Sequence, residues 1–210
     1  MTLVVVGVTV MLLITFTPIF VAWRRHKARG VRLRAFAASA GWRYRPKDVA
    51  VSPVRYLGTP FRTGKERQAT HVLSGRHRDR DVTGFEYSYR SGTTTYRFSV
   101  VTLPLPTRGP TLELTRERRR LVGQDLQLES DEFNAAFRIT ADDDRFAYDV
   151  LHPRMMDFLL ANHRGLPVRF ERADLLTWCG GPMAEDRLLG MADHLCDILD
   201  RVPTHAWRTA

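Results

Sequence analysis

The chain holds only two cysteines, Cys179 and Cys196, and three lysines among its 210 residues. With no CxxC pair and no His/Cys zinc spacing, a disulfide framework and a zinc ribbon or finger are excluded. Both thiols read as free in a reducing compartment. There is no GxSxG elbow, P-loop, GxGxxG fingerprint, HExxH pair or kinase signature, so none of the motif-borne chemistries is indicated. Internal repeats and low-complexity linkers are absent as well. The chain past its first segment is long enough for one domain with its own core.

The most telling absence is charge at the start. Thr2 to Trp23 carries no ionisable side chain, and Arg24, Arg25, Lys27, Arg29, Arg32 and Arg34 follow it with no acidic residue among them. About 20 apolar residues cross a ~30 Å hydrocarbon core, so residues 1–23 are expected to be a transmembrane anchor. A cleaved signal peptide fits less well: Met1-Thr2 is too short and uncharged for an n-region, and the positive charge lies after the run. The charge asymmetry places the N-terminus outside and the rest of the chain in the cytoplasm of a plasma (inner) membrane. Pro18 implies a kink, and Met11 four residues after Gly7 breaks the GxxxG dimer pattern.

Charge is polarised beyond the anchor. Residues 35–128 hold 17 basic and 8 acidic residues, whereas residues 129–210 hold 9 and 15. The six basic residues at the membrane exit are candidate contacts for anionic lipid headgroups, each contributing about 1 kcal/mol. Arginine outnumbers lysine 29 to 3. That ratio reads as genomic base composition, and no nucleic acid is expected as a partner.

Periodicity gives the elements. Residues 24–41 form a basic juxtamembrane segment and connecting helix, with Leu33, Phe36, Ala37 and Ala40 on one face and Gly41 as C-cap. Extended segments are expected at Trp42–Tyr44 and Tyr56–Phe61. A meander follows over Arg67–Ser74, Asp81–Tyr89 and Thr94–Leu103, joined by hairpin-length turns. Phe85, Tyr87 and Tyr89 alternate with Glu86 and Ser88, and Tyr96, Phe98 and Val100 with Arg97 and Ser99. Period two sets each aromatic group on one face, read as core packed on a helix in preference to a base-stacking platform. Pro104 and Pro106 are expected to end the meander, with short strands at Thr111–Thr115, Asp125–Leu128 and Phe137–Thr140. Arg116–Arg120 reads as an exposed basic turn.

Asp142-Asp143-Asp144 invites a calcium reading. The EF-hand positions for Gly and Glu are filled by Ala147 and Pro153, so a helix cap is the simpler account. Pro153 restarts a helix, Val168–Glu171 and Leu175–Trp178 read as a late strand pair, and Ala184–Val202 shows the broadest apolar stripe. Asp193 and Asp197 lie one turn apart without a third ligand, which favours a solvated face over a metal. Cys179 beside two glycines reads as structural, though a hydrolase using it remains the weakest of three functional readings.

The strings Ala38-Ser39-Ala40-Gly41-Trp42-Arg43-Tyr44, Gly58-Thr59-Pro60-Phe61, Asn134-Ala135-Ala136-Phe137-Arg138-Ile139 and Phe146 to Met156 resemble a family of actinobacterial single-pass membrane proteins of unknown function. The likeness runs on to Pro203-Thr204-His205-Ala206-Trp207. It implies an inner-membrane location and carries over no active site. The expectation is an α+β chain: an anchor, then a cytoplasmic domain over residues 42–210 with one mainly antiparallel sheet covered by the C-terminal helix. Its expected role is a noncatalytic interaction or scaffold module without cofactor or metal, touching the bilayer, anionic headgroups and a protein partner. Anionic-lipid binding is the alternative.

Overall fold

The computed structural model describes residues 24, 26–52, 55–116, 128–162 and 165–208. The apolar run, Arg25, residues 117–120 of the basic turn and residues 125–127 of one expected strand lie outside them. Among the described residues no helix is long and apolar enough to cross a membrane.

Helix α1 covers residues 26–39, starting earlier than its apolar spacing alone suggested. Strand β1 (Arg43–Arg45) leads into a long antiparallel meander of β2 (Lys65–His77), β3 (Arg80–Ser91) and β4 (Thr94–Arg116). Next come α2 (Asp131–Ala136), β5 (Phe137–Ala141), α3 (Asp144–Val150), α4 (Pro153–Asn162), β6 (Val168–Gly180) and α5 (Glu185–Leu199). The fold is therefore α+β with an antiparallel sheet of order β1-β2-β3-β4-β5, and β6 also pairs with β4.

β4 organises the sheet. β6 follows it from Phe98↔Gly180 to Leu114↔Val168, so β3 and β5 must share its other edge, one at each end. Pro104 and Pro106 do not end this strand. Instead the register against β6 shifts between Pro104 and Gly109, an irregularity that accommodates residues lacking an N–H. The expected pair of late strands is likewise one strand, β6, which passes through Arg172 at φ 57°. Tyr56–Phe61 is no strand either: it is a looped segment.

The sheet is buried on both faces, so adjacent residues of one strand enter opposite cores. Val72 and Leu73, Val100 and Val101, and Leu175 and Leu176 are split in this way. One core gathers Leu33 and Ala37 of α1, the Leu188–Leu195 stripe of α5, and α3 and α4. The other gathers Tyr56 and Phe61 against Phe85, Tyr87, Val100 and Trp178. The aromatic face is thus core, yet a loop covers it in place of a helix, and Tyr96 remains 45% exposed.

Local signals account for the helix starts. Asp143 accepts a hydrogen bond from the Phe146 N–H at 2.9 Å, which makes the Asp run the cap of α3. Ser130 Oγ accepts from Phe133 N–H at 3.2 Å and starts α2, a helix the sequence pattern did not announce. Asp197 of α5 and its C-cap Asp200 meet Arg78 of the β2–β3 turn and Arg80 at the start of β3 at 2.7 and 2.5 Å, and Asp193 meets His77 at 2.7 Å. The acidic helix face is a clasp on the hairpin, and the described residues contain no metal-binding cluster.

Candidate functional site

One face of β3 changes character along its length. Val82 and Gly84 lie in the core under α5, Gly84 leaving room for Leu188. Glu86, Ser88 and Arg90 follow on the same face, where the covering helices run out. Antiparallel register sets Thr70 and Ser99 beside Glu86, and Gln68 and Arg97 beside Ser88. The result is a polar groove of about 350 Å³, walled by His26 of α1 and Lys47.

Glu86 is the hub under this groove, with a side chain only 2% exposed. Arg29 Nη1 of α1 donates to its Oε2 at 2.8 Å, and the Met183 N–H ahead of α5 donates to the same oxygen at 3.2 Å. Arg97 Nε stands 3.7 Å from Oε1, at ion-pairing distance but beyond hydrogen-bond range. A single carboxylate thus ties α1, the start of α5 and the sheet together.

A second link joins α1 to the sheet. β2 slips register between Thr70 and Leu73, and His71 sits in that bulge at φ 50°. Its ring lies between Tyr44 Oη, 2.7 Å from Nδ1, and His26 Nδ1, 3.2 Å from Nε2. Burial pushes the His71 imidazole below the ordinary histidine pKa, so it is neutral at pH 7. One neutral tautomer satisfies all three groups, with Tyr44 donating to Nδ1 and Nε2–H donating to His26. Gly30 permits this closeness: a Cβ there would stand 3.1 Å from Tyr44 Oη and 3.3 Å from His71 Cε1.

Helical spacing explains the sorting of the basic residues. His26, Arg29, Gly30, Leu33 and Ala37 recur at three and four residue steps and face the sheet. Arg24, Lys27, Arg32 and Arg34 lie exposed on the remaining sides, and Arg34 rests over the Tyr44 ring at 5.5 Å. Of the six expected headgroup contacts, Arg29 is therefore engaged inward, four present themselves to solvent, and Arg25 lies outside the described residues. Sequence reading missed Glu86, His71 and His26. A lone carboxylate among aromatic and hydroxyl residues on β3 was the available signal.

The opposite face carries a buried ion cluster. Arg169, 1% exposed, donates to Glu113 Oε2 at 2.6 Å, to the Leu57 carbonyl and to the Thr59 carbonyl at 3.1 Å, and lies over Trp178 at 4.9 Å. Glu171 accepts the Leu57 N–H at 2.9 Å. Gly58, at φ 65°, lies so close that a Cβ would stand 2.8 Å from Arg169 Nη2. These contacts hold residues 57–61 as a loop over the aromatic core, and explain why Gly58-Thr59-Pro60-Phe61 is no strand.

Cys179 is half-buried with Met191 Sδ at 3.8 Å, and burial pushes its thiol up. That direction opposes nucleophilic activation.

No family model and no curated protein matches this chain. Among solved structures, it is similar to the crystal structure of the mycobacterial trehalose monomycolate transport factor A, TtfA, at 17% identity and a TM-score of 0.55, over 83% of this chain and 98% of that one. At that identity the likeness is one of fold: an antiparallel sheet with helices, α+β.

Proposed function

We propose that this chain is a single-pass inner-membrane protein whose cytoplasmic domain serves as a noncatalytic interaction module in lipid transport. The observation that carries it is the docking of α1. The helix that follows the apolar run in sequence is fixed to the sheet through Leu33, Ala37 and the Arg29–Glu86 pair, so the groove keeps a set place relative to that helix. A flexible leash would leave the domain's orientation open. A docked one aims a chosen face. The shared fold with a protein named for trehalose monomycolate transport supports the same direction.

Proximity labelling from the C-terminus in the native host tests this. Membrane-fraction recovery with enrichment of envelope lipid-transport proteins is expected, and no partner enriched over a scrambled-domain control would overturn it. A fluorescent C-terminal fusion, bright only if cytoplasmic, checks the orientation.

A second reading, direct recognition of anionic lipid, is favoured by the exposure of Arg24, Lys27, Arg32 and Arg34 beside the tether. At roughly 1 kcal/mol per nearby charge, the double variant Arg32→Ser/Arg34→Ser should weaken adhesion to phosphatidylglycerol vesicles clearly at low salt. Binding indifferent to anionic lipid content would sink that reading.

A further inference from the structure

The geometry points to the polar groove as a binding site for the neutral, polyhydroxylated headgroup of a membrane glycolipid. This inference rests on the tether reading only for the source of the headgroup. Its chemistry comes from the lining.

The groove holds charges of both signs, already close to one another. Arg97 lies 3.7 Å from Glu86, and Arg90 Nη1 lies 3.6 Å from Glu66 Oε1. An anionic headgroup reaching for either arginine would set its charge against a carboxylate, one of them buried and fixed by Arg29 and the Met183 N–H. A neutral polyol meets no such opposition. Its hydroxyls donate to the carboxylates and accept from Arg97 and Lys47, while Gln68, Ser88 and Thr95 do both.

Both ion pairs exceed hydrogen-bond length, so hydroxyls can bridge them without breaking a short contact. The volume, about 350 Å³, falls at the lower end of small-ligand sites, roughly 300–1,000 Å³. It suits sugar rings, and its lining offers no apolar channel for an acyl chain. His26, on the groove wall, stands three residues beyond Trp23, the last residue of the apolar run, which places the opening beside the expected lipid headgroup layer.

The test uses the full chain in phosphatidylcholine nanodiscs, titrated with dihexanoyl diglucosylglycerol, free maltose and dihexanoyl phosphatidylglycerol. Saturable binding of the diglucosyl lipid, with maltose weaker, is expected. Gln68→Ala should weaken it about 3- to 10-fold, the range of one net hydrogen bond. Ser88→Trp, which fills the groove, should abolish it, and Glu132→Gln, exposed on α2 and outside the groove lining, should leave it unchanged. Melting curves establish that each variant is folded, and Gln68→Ala carries the test if Ser88→Trp is not.

Absence of saturable sugar binding overturns the proposal, as does glycolipid binding that Gln68→Ala leaves intact. Phosphatidylglycerol binding that falls in the groove variants overturns it too. Equal affinity for maltose and the glycolipid overturns the membrane source. Flotation of the full chain with phosphatidylcholine vesicles separately tests the tether: its failure, alongside groove-dependent sugar binding in detergent, would sink the tether and leave the sugar site standing.

Discussion

Replacing Glu86 with alanine should release α1 from the sheet before it unfolds the domain. The carboxylate is 2% exposed, and its partner Arg29 is 16% exposed. Removing one member of a buried pair costs about 3–5 kcal/mol when the other charge is left stranded. Arg29 retains some access to water and can swing outward, so about 2–3 kcal/mol is expected here. The loss falls first on α1, because Arg29 is its polar tie to the hub. A reduction of that size in local opening free energy speeds amide exchange over residues 26–39 by about 30- to 150-fold. Hydrogen exchange with mass-spectrometric readout measures it, alongside urea unfolding for the whole domain. Glu86→Gln keeps an acceptor for Arg29 and for the Met183 N–H, and should lose about half as much. Arg97→Ala removes a guanidinium whose side chain is 52% exposed, and should cost under about 1 kcal/mol. Unchanged protection of residues 26–39 in Glu86→Ala would refute the claim that this carboxylate docks the helix.

Three further outcomes follow from the same contacts. Gly30→Val drives a side chain into Tyr44 and His71 and should cost about 1–3 kcal/mol by overpacking, seen as faster exchange in α1. Arg169→Met strands Glu113 and the buried Glu171, costing about 3–5 kcal/mol. At about 2–4 °C per kcal/mol for a domain of this size, the melting temperature should fall by about 6–20 °C, and a fall under about 2 °C would refute the clamp on residues 57–59. Because burial depresses the pKa of His71 in the folded state, the unfolded chain binds the proton more readily. Its contribution is fully present above about pH 6.5 and is lost as pH falls through the lower folded value. Urea unfolding at pH 7.5 and 5.5 should show a drop in wild type that His71→Gln reduces.

The sequence pattern reached some of this and stopped short of the rest for physical reasons. The β2–β3–β4 meander was legible because period-two alternation and hairpin turns lie within a dozen residues of one another. The α5 stripe and the Asp143 cap were legible for the same reason. Pro104 and Pro106 misled because whether a missing N–H breaks a strand depends on what lies beside that edge, and β3 has ended there while β6 tolerates a register slip. Tyr56–Phe61 misled because its apolar residues cover a core as a loop held by Arg169, a partner 110 residues away from Thr59.

By itself the sequence determined the uncharged run, the six basic residues that follow it, and the faces on which strands and helices place their side chains. These are properties of neighbours along the chain, set by covalent geometry and side-chain polarity. Only the tertiary structure decided that Arg29 turns inward while Arg32 and Arg34 face outward, and that the sheet face under Glu86, Ser88 and Gln68 is left as a groove. Glu86 meets partners 57 and 97 residues away. Where a covering helix stops depends on packing between such distant segments, which no local period encodes.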